Sequence, residues 1–213
     1  MSINEDRFNE LKKEYGAVAS WAIWDMPSSN NLSTKENVGS MNWAKDENLL
    51  IKEIKTDFVF IALNAADNHK GKNGHAKQDS WINFHSSYSK GRDYKLRFAV
   101  MKPDKNGFCI AKGSYITDLI KDIPTKDAKE LKTILKSNPK KLESNIEKLK
   151  EELSTLDNKK KPILIALGRD CERILRNTLE KEGFRVYYLP HFSAASPKLE
   201  NYWEKLQTIL DER

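Results

Sequence analysis

The segment "PILIALGRDCERILRNTLEKEGFRVYYLP", residues 162 to 190, constrains the fold more than any other part of the chain. It opens with an unbroken apolar run, 162 to 167, of the kind a strand needs when both of its faces are covered. Gly168 then hands over to a helical pattern with Ile174, Leu175 and Leu179 on one face and Gly183 as its stop. A second apolar and aromatic run follows and ends at Pro190. Strand, helix and strand in so short a span require the two strands to lie parallel, with the helix crossing one face of the sheet.

The same alternation extends through the chain. "DFVFIAL" (57 to 63) and "SYITDLI" (114 to 120) are further strand candidates, and 197 to 210 reads as a last helix with Leu199, Trp203, Leu206 and Leu210 inward. Near the start, Asn4 caps a short helix over 4 to 15 that turns Phe8, Leu11 and Tyr15 to one side. The stretch 28 to 48, rich in Ser and Asn, reads as a long loop. Over 126 to 161 lysine is dense, while Leu142, Ile146, Leu149, Leu153 and Leu156 form a narrow helical seam, which predicts a helical insertion packed on the sheet. The expectation is one α/β domain over 1 to 213: a three-layer αβα sandwich with a central, mostly parallel, four-stranded sheet.

No apolar run is long enough to span a bilayer, and "MSINEDRFNE" is too polar for a signal peptide, so no membrane partner and a cytoplasmic location are expected. Cys109 and Cys171 lie outside any metal-type spacing and suit ordinary thiols. His69, His75 and His85 lack a closed ligand pattern, and neither a metal nor a cofactor is called for. The net charge of +6 suits a polyanionic partner, although a lysine-rich surface also carries such a balance without one.

Parallel strands share one C-terminal edge, where ligands settle. "NAADN" after one strand, Thr117-Asp118 near the end of another and "HFSAAS" after the last bring Asn64, Asp67, Asp118, His191, Ser193 and Ser196 toward one site. Each also has a plain reading: turn formers at Asn64 and Asp67, a surface pair for Asp118, a helix cap at His191. Phe84 and Trp81 serve equally well as core.

In order and spacing, "VFIALNAAD", "WINFH", "GSYITDLIKDIP", "ILIALGRDCERIL" and "YYLPHFSAAS" resemble the motifs of the uracil-DNA glycosylase superfamily over roughly residues 18 to 210. The resemblance implies hydrolysis of an N-glycosidic bond in DNA that frees a damaged or deaminated base. His191 would donate to the departing base, and Asn64, with Asp67 as stand-in, would orient water. Phe84 would stack on the flipped base, Asp118 would read its edge, and Ser193 and Ser196 would hold a phosphate. Two departures stand out. Prolines of the first and last motifs are replaced by Ala65, Phe192 and Ala194. Asp118 stands where uracil-specific relatives tend to carry asparagine, and an ionised carboxylate cannot donate to a base carbonyl. A binding module of the same fold without excision, or a hydrolase of free nucleosides, are the competing expectations.

Overall fold

The computed structural model describes residues 3–36, 46–66, 80–81, 83–85, 93–125, 128–156 and 160–212. At its centre lies β2 (Lys55–Ala66), whose residues Phe58 to Ala62 are buried. It pairs in parallel with β3 (Ser114–Thr125) on one side and β4 (Ile163–Leu167) on the other. β4 pairs in parallel with β5 (Val186–Leu189). A two-residue strand, β1 (Ser20–Trp21), joins the free side of β3 antiparallel and gives the order β1-β3-β2-β4-β5. The sheet therefore has five strands, not four. Periodicity has nothing to register in two residues, so β1 is visible only through its partner.

Alternate residues of the central strands enter two different cores, as the two-residue pleat requires. Val59, Ile61, Leu164 and Ala166 pack with Phe8 and Leu11 of α1 (Glu5–Tyr15), Leu149 and Leu153 of α5 (Pro139–Leu156) and Leu175 of α6 (Arg169–Asn177). Phe58, Phe60, Ile163 and Ile165 pack instead with Leu96 of α3 (Tyr94–Met101) and with Tyr202, Leu206 and Leu210 of α7 (Leu199–Asp211).

The lysine-rich region folds as α4 (Ala128–Ser137) and α5. Asn138 separates them, and Pro139 occupies the first helical position, where its missing N–H leaves no bond unmade. The expected seam faces β3, and two polar residues lie within it. Glu152, fully buried, accepts hydrogen bonds from Tyr115 Oη and Thr117 Oγ1, both at 2.8 Å, and pairs with Lys121 Nζ at 2.7 Å. Asn145 accepts from the Lys121 backbone N–H at 3.0 Å.

Three boundaries differ from the sequence expectation. β2 runs from Lys55 to Ala66 and not only over 57 to 63, so Asn64 lies within the strand and not after it. The loop over 28 to 48 ends early, because Asp46 caps α2 (Glu47–Glu53) by accepting from the N–H groups of Asn48 and Leu49. β3 runs on to Thr125, so Asp118 lies within a strand and not near its end.

Candidate functional site at the C-terminal edge

The chain leaves β2 for β3 on one side and returns past β2 to place β4 on the other, so the direction of winding reverses between β2 and β4. A crevice at the carboxyl ends of those strands follows from this reversal. Ala62 pairs with Asp118, and one row of the sheet runs from there through Leu167, which pairs with Leu189. Asn64, within β2, stands two residues beyond that row, and His191 follows the end of β5 by two residues. Asp118 belongs to the row beneath.

Pro190 ends β5, lacking the N–H to continue a ladder, and His191 begins a tight turn closed by the Ala194 N–H on the His191 carbonyl at 2.9 Å. The imidazole Nδ1 lies 2.8 Å from Ser193 Oγ and receives the Ser193 backbone N–H at 3.3 Å. A backbone N–H can only donate, so Nδ1 is the acceptor and the neutral ring carries its proton on Nε2. Burial holds the imidazole down to about 4, so it is uncharged at neutral pH. The ring stacks on Phe192, with centroids 4.3 Å apart, and its Cβ lies 3.7 Å from where a Cβ on Gly168 would stand. Gly168 has φ +105°, a conformation that side chains disfavour, and this turn from β4 into α6 seats the histidine against its backbone. The result is a preorganised, neutral N–H donor beside the crevice.

Asp118 is 2% exposed and accepts from Asn83 Nδ2 at 3.3 Å. Burial raises its carboxyl to about 7, against the lowering effects of Lys121 and of the Asn83 hydrogen bond. Lys121 does not pair with the Asp118 carboxylate; its Nζ donates to the Asp118 carbonyl and joins Glu152. Asn83 also donates to the Val18 carbonyl at 2.8 Å, tying the chain before β1 to the floor of the edge. Its neighbour Phe84, in a short turn of 3₁₀ helix (Asn83–His85), is half-buried against the core shared by α3 and α7. Trp81 is core, packed on Phe8, Trp21 and Tyr115.

Asn64 donates from Nδ2 to the Ile123 carbonyl at 3.2 Å and to Thr125 Oγ1 at 3.0 Å, strapping β2 to the end of β3. Both contacts hold the amide nitrogen of Asn64 to β3. Ser193 fixes the histidine. It does not sit at a helix N-terminus, because α7 begins at Leu199 with Lys198 as its cap, and Ser196 likewise falls short of the free helical N–H groups expected there. Asp67, His69 and His75 lie outside the described residues. His85 is fully buried, donates from Nε2 to the Trp21 carbonyl at 2.9 Å and is lowered to about 4 by burial. The Cys171 thiol, buried beneath the edge, donates to the Ile61 carbonyl at 3.2 Å, and burial pushes it far above the thiol range.

Three separate groups result: His191 with Ser193 after β5, Asn64 with Thr125 at the ends of β2 and β3, and, deeper within β3, Asp118 with Asn83. Sequence reasoning missed Asn83 and Lys95. Lys95, on α3 and 4% exposed, donates to the carbonyls of Ala194 and Ala195 and clamps the His191 turn onto the helix. Nothing in "YKLRFAV" marks that lysine as inward, whereas Asn83 stood inside a quoted motif without a role.

No protein-family model, curated protein or solved structure matches this chain. Among the described residues no helix is long and apolar enough to cross a membrane.

Proposed function

We propose that this chain is a three-layer α/β/α DNA glycosylase of the uracil-DNA glycosylase type, freeing a damaged or deaminated base by hydrolysis of its N-glycosidic bond. The observation that carries the reading is the His191–Ser193 pair at the crevice. As the bond from base to sugar breaks, negative charge collects on the base and positive character on the sugar carbon. A neutral Nε2–H held in place beforehand stabilises that anion without reorganising. Water adds to the sugar carbon and its proton passes to the departing base anion, so the products are a neutral free base and an abasic site. Asn64 Oδ1 is the group that would accept from that water. Phe84 would supply a face for the extruded ring. Asp118, protonated below about pH 7, would offer both a donor and an acceptor, as an asparagine amide does. In that protonated form the carboxyl no longer repels a base carbonyl, so excision of a uracil-like base would fall as pH rises through about 7.

The test is an incubation of excess protein with oligonucleotides carrying uracil, hypoxanthine, xanthine or an alkylated base, followed by alkaline cleavage at abasic sites. A strand break at one lesion that His191→Ala abolishes is the expected result. No break at any lesion would remove the reading. A second reading, a nucleic-acid- or nucleotide-binding module without excision, is favoured by the engagement of Asn64 with β3 and of Asp118 with Asn83. Lesion-dependent DNA binding without abasic product would decide for it.

A further inference from the structure

The opposite, N-terminal edge of the sheet holds a cavity of about 1000 Å³ between the starts of β2, β4 and β5 and the turn over 104 to 110. Five cations line it: Lys52, Lys55, Lys160, Lys161 and Arg185. The acids on its wall are Asp57 and Asp104, and the Asp104 carboxylate accepts from the N–H groups of Asn106 and Phe108, holding the turn. The cations meet neutral partners. Lys55 donates to the Ile110 carbonyl, Lys161 to the Glu182 carbonyl and Arg185 to the Glu212 carbonyl. Among the described residues none of the four lysines is in an ion pair with a carboxylate, so the groove keeps its positive field. At its rim Phe108 is 65% exposed, on a turn whose Gly107 has φ +83°.

Ile54, Phe58 and Ile163 give the groove an apolar floor beneath its cations, a combination that suits a ligand carrying both charge and flat apolar surface, and an exposed ring does not suit a bare anion. The cations are also spread over three chain segments. A phosphodiester strand meets all of these features, with phosphates along the lysines and a base on Phe108. We propose that the N-terminal edge binds single-stranded nucleic acid. The groove lies across the sheet from His191, so this inference does not depend on base excision.

Fluorescence anisotropy with a short labelled oligo-dT strand and its oligo-rU counterpart, at several salt concentrations, tests it. The double variant Lys52→Glu/Lys160→Glu should weaken binding about tenfold and reduce the slope of log affinity against log salt by about 1.4, at about 0.7 per lost phosphate contact. Phe108→Ala should weaken it by a similar factor, about tenfold, with the salt slope unchanged. Both substitutions are at exposed positions, and circular dichroism checks that the fold is kept. The exposed Lys140→Glu on α5, outside the groove, should bind as the parent does, which separates this surface from net charge alone. No binding, or binding that both variants leave intact, overturns the proposal. Displacement by inorganic polyphosphate together with indifference to Phe108→Ala would overturn it too, since the groove would then read phosphate alone.

Discussion

The tautomer of His191 is set by a residue two positions away, while burial sets its charge. Ser193 presents its hydroxyl and its N–H to Nδ1, and the N–H, which can only donate, keeps the ring proton on Nε2. Nitrogen-15 NMR at pH 7 should show that tautomer, and the ring should titrate near 4, assigned by comparison with His191→Ala. Asp118 is shifted the other way, from 3.8 to about 7 by burial. Between those values the folded protein holds a proton that the unfolded chain has lost, so this group lowers stability progressively as pH rises from about 4 to 7. Asp118→Asn keeps an acceptor for Asn83 and abolishes that loss. Urea midpoints should therefore show its advantage growing over that range and levelling above it. The imidazole in its turn was legible in the sequence, since a strand that stops at proline and yields to small residues leaves little else for a histidine to do. Lys95 and Asn83 were not, because each acts on a segment far away in the chain, and local pattern says nothing about such partners.

β3 shows why elements are read short. "KDIPT" looks like the end of a strand, being polar and containing Pro124. In the fold, side chains replace part of the ladder: Asn145 takes the Lys121 N–H and Asn64 takes the Ile123 carbonyl. The extension exists because other elements supply its partners. The junction of β3 with α5 rests on Glu152, whose charge is balanced by Lys121. Lys121→Met should destabilise by about 3–5 kcal/mol in urea unfolding, because a buried carboxylate loses its counter-charge and keeps only the hydroxyls of Tyr115 and Thr117. Adding Glu152→Leu should recover most of that loss. Leu149→Ala, which removes packing and no charge, should cost about 2–5 kcal/mol. A double variant as unstable as Lys121→Met alone would show that the junction depends on the ion pair itself.

On the scale of the whole molecule, strand–helix alternation made a parallel sheet legible, but not the order of its strands. That order depends on which side of β2 each crossover returns to, and apolar runs look alike on either side. It fixes the reversal between β2 and β4, and with it the edge at which Asn64 and His191 stand, with Asp118 deeper within β3. The opposite edge, with its lysines, was legible only as net charge. The most direct measurement is the single-turnover rate of base release from whichever lesion-bearing strand reacts, for the parent protein and for His191→Ala. With the neutral imidazole as donor to the departing base, the variant should be slower by a factor of about 100 to 1000. A rate unchanged by His191→Ala, or no release from any lesion tried, would contradict it.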